Sequence, residues 1–268
     1  MNRIVLISKG QDGPLIDNLL HFDINENLHS SVERSLVLHG HHTGLFDVQL
    51  AVSPLRTLKD EPIGIVLVLQ DVSRSRELMR RLSYSASHDL LTGLSNRGSF
   101  ESSLKKALNL IATAHQSHCL AFIDLDHFKA INDTAGHAAG DELLRQISTL
   151  MQEHMRNSDR LARLGGDEFA LILFDCPVEQ GLNTLSKLVS EINQFEFIWE
   201  DKIYRIGASA GLTKMNDPTV SGSEYMAQAD KACYTAKNNG RGRVFRYEPQ
   251  QKTATVHTEG SIFPPEKT

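Results

Sequence analysis

The stretch Leu161-Ala162-Arg163-Leu164-Gly165-Gly166-Asp167-Glu168-Phe169-Ala170-Leu171-Ile172-Leu173-Phe174 joins two apolar runs through two glycines and two acids. Each run has the length and composition of a short β-strand. Glycine tolerates the positive φ angles that a tight connection needs. The stretch therefore predicts a β-hairpin with strands at 161–164 and 169–174 and with the carboxylates of Asp167 and Glu168 at its tip.

A second pair of acids, Asp124 and Asp126, follows the apolar run 120–123, which we predict to be a buried strand. If the two strands are sheet neighbours, four carboxylates converge at one sheet end. Mg²⁺ takes oxygen ligands, usually one or two carboxylates plus substrate phosphates. Such ions can clamp the attacking and leaving oxygens of a phosphoryl transfer. Either pair alone could serve only to keep a loop soluble, but the two together favour a metal site.

Helices and strands alternate on both sides of these motifs. Amphipathic spacing predicts helices at 99–114, 141–155, 178–194 and 224–238, and apolar runs predict further strands at 197–199 and 205–212. The order is β-α-β-β-α-β with additions. This predicts the α+β fold class, with an antiparallel sheet backed by helices and a ferredoxin-like core.

Three cations could contact phosphates. Lys129 follows the first acid pair, and Lys237 and Arg241 close the last helix. A metal-bound triphosphate needs more positive charge than the ions supply. Each residue could equally be a solvated surface charge, Lys237 especially, because cations are favoured at a helix C-terminus.

Two further polar residues could recognise a base. Asn132 and Asp141 offer donor and acceptor groups for a base edge, although Asp141 could equally be a first-turn acid stabilised by the helix dipole. His137, by itself, fits a loop or packing histidine better than a ligand. Residue chemistry alone therefore stops at a candidate metal-dependent nucleotide site.

The bulk composition narrows the class of protein. The 268 residues exceed a typical domain of roughly 150 residues, which favours two domains. A formal net charge of −5 argues against a nucleic-acid binder, because phosphate-backbone affinity needs clustered Lys and Arg. The longest apolar run, 63–69, is too short to span a bilayer, and the first residues lack the core of a signal peptide. With three distant cysteines, which fit reduced thiols, we expect a cytoplasmic protein without membrane insertion.

The first part of the chain is rich in short apolar runs. Runs at 3–7, 46–52 and 63–69 are separated by turn-forming residues. They predict a small β-rich region over 1–72.

The composition then changes to helix formers, and we predict a connecting helix over 73–88. Leu78 and Leu82 lie four apart on one face, so this helix could pair with its copy in a dimer. A catalytic domain over 89–248 follows. We expect the tail 249–268 to be unstructured.

Taken in order, these motifs resemble those of the GGDEF family of diguanylate cyclases. The matching segments are Asp89-Leu90-Leu91-Thr92-Gly93-Leu94-Ser95-Asn96-Arg97, Asp124-Leu125-Asp126-His127-Phe128-Lys129-Ala130-Ile131-Asn132-Asp133, Gly136-His137, Gly140-Asp141, Gly165-Gly166-Asp167-Glu168-Phe169 and Ala229 to Arg241. The resemblance covers about residues 84–247. It implies a nucleotidyl-cyclase, palm-like fold and condensation of two GTP into cyclic di-GMP and two pyrophosphates between the subunits of a homodimer.

The resemblance also assigns metal ligands. Asp124, the carbonyl of Leu125 and Asp167 would hold Mg²⁺, with Glu168 as a further ligand or a proton acceptor. Two ions are expected at each GTP site, and Mn²⁺ could substitute for them. Asp167 and Glu168 would be the catalytic residues.

The resemblance likewise assigns the substrate-binding residues. Asn132 and Asp141 would recognise guanine, and a base that leaves such groups unpaired is rejected. The remaining substrate-binding residues, in the phosphate-contacting and glycine-rich motifs, would be Lys129, His137, Gly165, Gly166, Lys237 and Arg241. Family members with serine at the position of Asp141 are associated with mixed cyclic nucleotides, so the aspartate favours cyclic di-GMP.

The family also has an inhibitory product site of the form Arg-x-x-Asp, five residues before the first motif glycine. Arg156 and Asp159 stand at that spacing, and Arg163 could be an additional contact. The alternative is a surface ion pair of little energetic value.

The region before the catalytic domain resembles part of a PAS sensor domain. Segments 46–54 and 63–73 look like its last two strands and its exit. Two alternatives to the cyclase stay open: a regulatory module that binds nucleotide without turnover, and a fragment of a longer protein whose missing partner domain sets the net activity.

Overall fold

The computed structural model describes residues 6–8, 32–40 and 44–249. Two compact units, Met1–Ala86 and Ser87–Thr268, divide the chain. No helix in this described part is both long and apolar enough to cross a bilayer. The predicted strand at 3–7 lies partly outside the described residues, and the predicted tail lies outside them beyond its first residue.

The first unit contains a four-stranded antiparallel sheet in the order β1-β2-β3-β4. Its strands are β1 (Leu6–Ser8), β2 (Val32–Gly40), β3 (Gly44–Arg56) and β4 (Pro62–Asp71). The strands predicted at 46–52 and 63–69 are present within β3 and β4. The strand β2 was not predicted, because Glu33 and Arg34 interrupt its apolar pattern.

A helix, α1 (Ser73–Ser87), follows β4, as predicted for the connecting segment. Asp71 accepts a hydrogen bond from the backbone N–H of Ser73 at 2.9 Å, and Arg76 pairs with Asp47 of β3 at 2.8 Å. None of the helix residues is buried, and Leu78 and Leu82 are 52% and 67% exposed. The ion pair therefore ties the start of the helix to the sheet, while its apolar stripe stays exposed.

The described part of the second unit, residues 87–249, contains five further helices and seven further strands. In chain order they are α2 (Arg97–Ala114), β5 (His118–Asp126), α3 (Phe128–Ala135), α4 (His137–Glu153), β6 (Arg160–Gly165), β7 (Glu168–Leu173), α5 (Val178–Gln194), β8 (Glu196–Trp199), β9 (Lys202–Arg205), β10 (Gly207–Met215), α6 (Gly222–Asn238) and β11 (Val244–Arg246).

The main sheet has the order β11-β10-β5-β7-β6, and β8 pairs with β9 in a separate hairpin. Only the edge strand β11 runs parallel to its neighbour. Residues of β5 alternate between two layers: Ile123 and Leu125 pack with α3, α4 and α5, whereas Leu120 and Phe122 pack with α2 and α6. This architecture confirms the predicted α+β class and its β-α-β-β-α-β core.

Some predicted boundaries were wrong. The strand predicted at 205–212 is two strands, because the chain leaves β9 at Arg205 and pairs with β5 only from Gly207 onward. The strand predicted at 120–123 continues through Asp126 in β5. The short elements α3 and β11 were not predicted.

The helix predicted from residue 141 begins earlier, at His137, so Asp141 is not a first-turn acid and that alternative is wrong. Gly140, which directly precedes the predicted helix, lies inside α4. A β-carbon at Gly140 would collide with the Oδ1 atom of Asn132 in α3. The glycine therefore serves close packing of two helices rather than helix initiation.

Candidate active site

The hairpin that joins β6 to β7 carries two acids at its tip. Gly165 and Gly166 have φ angles of +149° and +52°, which L side chains rarely adopt. A β-carbon at either position would meet no atom within 4 Å. The glycines are therefore needed for backbone conformation, and they leave open space beside Asp167 and Glu168.

The sheet brings three of the predicted acids together. Asp124 of β5 stands opposite Glu168 of β7 in the strand register. The N–H of Leu125 donates to the carbonyl of Asp167 across 3.2 Å, which fixes the hairpin against the end of β5. The side chains of Asp124, Asp167 and Glu168 consequently repel one another.

Burial and this repulsion raise the pKa values of two of the acids. Burial, followed by the charges of Asp124 and Asp167, raises the pKa of Glu168 above its ordinary value. Burial also raises the pKa of Asp124, with Asp167 and Asp126 adding to the effect and Lys237 opposing it. The acids are thus held closer together than their own charges favour.

Lys237 partly offsets the negative charge. Its Nζ atom lies 2.7 Å from Oδ2 of Asp124. Burial alone would lower the pKa of Lys237, but the Asp124 carboxylate outweighs it and raises the pKa above the ordinary value. The side chain of Lys237 therefore points toward the acid cluster, which consists of Asp124, Asp167 and Glu168, rather than into solvent.

Asp126, the fourth acid of the predicted cluster, has a different set of partners. Its carboxylate accepts hydrogen bonds from the Ser209 hydroxyl at 2.8 and 3.0 Å and from the N–H of Gly242 at 3.0 Å. Arg241 lies 3.8 Å away. Asp126 is therefore a buried anchor for the segment after α6, and of the four acids at this sheet end it is the one whose carboxylate β10 supplies with a hydroxyl partner.

The other predicted nucleotide-binding residues lie on α3 and α4. Asn132 packs against Gly140, the residue before Asp141, so the two residues expected to recognise guanine lie on segments of α3 and α4 that pack together. Lys129 and His137 are exposed near the starts of the same helices.

The predicted product-site residues do not form the ion pair weighed as an alternative. Asp159 is only 8% exposed and accepts hydrogen bonds from the N–H groups of Arg156 and Phe174 at 3.1 and 3.4 Å. Arg156 is exposed, and no ion pair joins it to Asp159 in the described structure. Arg163 lies near the other end of β6, where its Nη1 atom contacts Asp89 and its Nε atom contacts the Gly166 carbonyl.

Sequence reasoning gave no role to Asp89, Thr92 or Arg97. Asp89 accepts hydrogen bonds from the backbone N–H and hydroxyl of Thr92 at 3.0 and 2.7 Å, and it pairs with Arg163 at 3.0 Å. The Nη2 atom of Arg97 donates to the carbonyl of Leu164 at 3.3 Å. The contacts of Arg163 and Arg97 brace the acid-bearing hairpin. The Asp-x-x-Thr spacing of Asp89 and Thr92 was the sequence signal that could have predicted the hydrogen bonds between these two residues.

The acid cluster meets the chemical needs of a hard cation only in part. No group of three or more Asp, Glu, His or Cys side chains is arranged as a preassembled metal centre within 6–8, 32–40 and 44–249. Mg²⁺ sites in nucleotide enzymes usually take one or two carboxylates and complete their coordination with substrate phosphates and water. The donor set of Asp124, Asp167 and Glu168 fits an ion that arrives with a nucleotide.

Comparison with known proteins gives a consistent set of matches. A family model described as diguanylate cyclase, GGDEF domain, matches residues 86–243. The probable diguanylate cyclase DgcE of Escherichia coli K12 is 50% identical over 256 residues, which cover 96% of this chain and 23% of that protein. The cyclic di-GMP phosphodiesterase PdeB of Shewanella oneidensis MR-1 is 30% identical over 208 residues, or 78% of this chain and 24% of that protein.

A solved structure of a GGDEF domain also resembles this chain. The coiled coil and GGDEF domain of DgcB from Caulobacter crescentus, in complex with c-di-GMP, matches with a TM-score of 0.61 and 31% identity. That match covers 65% of this chain and 93% of the solved chain. The present chain spans about a quarter of the length of the curated relatives described above. The PAS-like interpretation of residues 1–72 stays a prediction.

Proposed function

The chain belongs to the GGDEF family of diguanylate cyclases, and on that premise we propose that it condenses two molecules of GTP into cyclic di-GMP and two pyrophosphates. The observation that carries the proposal is the acid cluster at the sheet end. Asp124 and Glu168 face each other across neighbouring strands, and Lys237 approaches from α6. A degenerate, purely nucleotide-binding module would be expected to have lost some of these groups.

The residues that would hold Mg²⁺ are Asp124, Asp167 and Glu168, together with the carbonyl of Leu125. Bound Mg²⁺ would supply positive charge at the transferring phosphoryl group. We propose two ions at each GTP, with Mn²⁺ as a substitute. The raised pKa values of Asp124 and Glu168 support this assignment, because a cation would relieve the repulsion between the acids.

The cations and glycines would position the phosphates. Lys237 already lies within the acid cluster. Lys129 comes shortly after β5, and Arg241 comes shortly after α6. Gly165 and Gly166 would let the backbone approach the α-phosphate, since the space beside them is open. Catalysis by this set amounts to positioning and neutralisation of charge.

Guanine would be bound at the crossing of α3 and α4. Asn132 of α3 and Asp141 of α4 carry the donors and acceptors for the edge of guanine. His137 is the first residue of α4. Asn132 is half-buried and Asp141 is exposed, so bound guanine would itself cover both side chains. A base that covers them but leaves the amide or the carboxylate unpaired is disfavoured, which would give the preference for guanine over adenine.

The reaction needs two subunits. Each subunit would bind one GTP, and the ribose 3′-hydroxyl of each would attack the α-phosphate held by the partner. The exposed apolar stripe of α1, formed by Leu78 and Leu82, is the proposed pairing surface. A monomer would be inactive, because it would hold only one of the two GTP molecules. The buried free cysteines agree with a cytoplasmic location.

We further propose feedback by the product. Cyclic di-GMP would bind at Arg156 and Asp159, where the arginine is exposed and suited to phosphate or to a guanine acceptor edge. Arg163 contacts Gly166 and Asp89, so in this scheme it would position the hairpin rather than contact the product.

A direct test uses the purified chain with GTP and Mg²⁺, with products separated by chromatography. Cyclic di-GMP and pyrophosphate in a 1:2 ratio are expected, and ATP should give no cyclic product. Binding of GTP without any product from a dimeric preparation would instead identify a nucleotide-binding module.

A further inference from the structure

A cavity of about 640 Å³ lies in the second unit, between α2 and the start of α6. Its volume falls in the range of roughly 300–1,000 Å³ that small-molecule sites occupy. The apolar part of its lining comes from Phe100, Leu104, Leu108, Leu164 and Met226. None of these residues belongs to the proposed metal, guanine or phosphate sites, so the cavity is separate from the proposed active site.

The charged part of the lining follows one face of α2. Arg97, Glu101 and Lys105 are spaced four residues apart and lie at the border of the cavity. Glu101 is flanked by the two cations, so this face carries one net positive charge. The start of α6 contributes its N-cap residue Ser221 and the first-turn residue Ser223, which carry hydroxyl groups and no charge.

An apolar cavity with a cationic border selects for a particular kind of ligand. Apolar walls stabilise a hydrocarbon body by removing it from water. The net positive charge of the border favours a single anionic head group over a neutral or cationic one. We propose that this cavity binds a small amphipathic monoanion, with an aliphatic or aromatic body and one carboxylate-like group.

Occupancy of the cavity would reach the catalytic hairpin through Arg97. The guanidinium of Arg97 donates to the carbonyl of Leu164 at 3.3 Å, and Leu164 directly precedes Gly165. An anion drawn to Arg97 would compete with that carbonyl and loosen one support of the hairpin. Such a ligand would lower the rate of synthesis, because the acid cluster needs a fixed hairpin.

The experiment is a calorimetric titration of the full chain with decanoate below its micelle-forming concentration. Acetate serves as a probe of charge without a hydrocarbon body. Lys105→Glu and Lys106→Glu form a matched pair, since both lysines are exposed neighbours on α2 but Lys106 borders a different cavity. Ser223→Trp fills the border of the cavity from an exposed position, and thermal unfolding checks that each variant is folded.

We expect saturable one-site binding of decanoate and none of acetate. Lys105→Glu changes the net charge of this face from +1 to −1, so it should weaken decanoate binding by at least about fivefold, the effect of losing one partly exposed charge contact, while Lys106→Glu leaves it unchanged. Ser223→Trp should abolish binding. The proposal is overturned by heat that does not saturate, by equal weakening in the two lysine variants, or by normal binding to folded Ser223→Trp. These readouts do not depend on turnover, so they stand apart from the test of the cyclase activity.

Discussion

The guanidinium of Arg163 joins Asp89 to the acid-bearing hairpin: Nη1 lies 3.0 Å from Oδ1 of Asp89, and Nε donates to the carbonyl of Gly166 across 2.9 Å. Burial alone would raise the pKa of Asp89, but hydrogen bonds from Thr92 and Arg163 hold it below its ordinary value. One planar group therefore ties the segment before α2 to the turn that positions Asp167. The orientation of the proposed catalytic acids would therefore depend on a residue that need not touch substrate.

Replacing Arg163 by Lys should keep the charge but lose the two-directional contact, because an ammonium group lacks the planar fork. We expect synthesis to fall by about 10²-fold, the order of loss that a misplaced catalytic group causes. Unfolding free energy should fall by about 1 kcal/mol. Initial rates and denaturant unfolding measure the two effects.

The control for this prediction is Arg145→Lys. Arg145 pairs with Glu142 at 2.9 Å on an exposed helix face, so its loss should change stability by less than about 0.5 kcal/mol and leave the rate unchanged. Wild-type rates in Arg163→Lys would show that the bridge has no positioning role.

Substitution of the hairpin acids should separate activity from stability. Asp167→Ala and Glu168→Ala each remove an oxygen donor from the proposed metal site, so synthesis should fall by at least about 10³-fold. The tip lies outside the core, and thermal unfolding should change little. Asp133→Ala, an exposed acid on α3, is the matched control and should keep full activity. Full product formation by both hairpin variants would contradict the assignment.

The raised pKa of Glu168 predicts a pH-dependent gain of stability in Glu168→Gln. An acid whose pKa is higher in the folded chain than in the unfolded chain destabilises the fold at pH values above both pKa values. The penalty disappears as the pH falls through the folded pKa toward the ordinary value of 4.5. The metal-free variant should therefore melt at a higher temperature than wild type at pH 7, and the difference should shrink toward pH 4.

Melting curves at both pH values, recorded with a chelator, test this sign. An excess of Mg²⁺ should narrow the difference at pH 7, since bound cations relieve the same repulsion in wild type. A Glu168→Gln variant that melts below wild type at pH 7 would mean that the carboxylate stabilises the hairpin.

The exposed stripe of α1 predicts a role in pairing. Leu78→Glu combined with Leu82→Glu should shift the chain from dimer to monomer and reduce synthesis, because the two half-sites no longer meet. Neither leucine is buried, so the fold should survive. The control is Leu78→Met with Leu82→Met, which keeps an apolar stripe. Light scattering and initial rates measure both properties, and an unchanged dimer with unchanged turnover would rule out this role.

Much of the fold could be predicted because local patterns and tertiary contacts agree. The helix α5 has the predicted bounds 178–194, and the Gly165-Gly166 hairpin forms where the turn residues indicate. Prediction failed where tertiary packing gives a residue its role. Gly140 directly precedes the predicted helix, yet it lies inside α4, where its lack of a side chain makes room for Asn132.

The site residues could likewise be predicted only where local sequence patterns agree with the tertiary contacts. The convergence of Asp124 with the hairpin follows from strand pairing, which the apolar runs indicate. The separate use of Asp126 does not, because its partners Ser209 and Gly242 are 83 and 116 residues away in sequence. The bridge between Arg163 and Asp89, 74 residues apart, was missed for the same reason.

The last prediction concerns feedback by the product at Arg156. Asp159 is buried and holds the N–H groups of Arg156 and Phe174, so Asp159→Ala should destabilise the chain by about 1–3 kcal/mol whether or not a ligand binds there. Arg156 is exposed, and Arg156→Ala separates ligand binding from folding. We expect Arg156→Ala to bind cyclic di-GMP at least about tenfold more weakly than wild type, since a charge-assisted arginine contact contributes about 1.5–3 kcal/mol. Inhibition of synthesis by added product should weaken in parallel, without a change in the rate at low product concentration. Arg160→Ala is the control, because Arg160 is also exposed and its guanidinium contacts only the nearby carbonyls of Asn157 and Asp159. Calorimetric titration and initial rates measure the two effects. If wild type and Arg156→Ala bind and stall alike, the inhibitory site lies elsewhere on the chain.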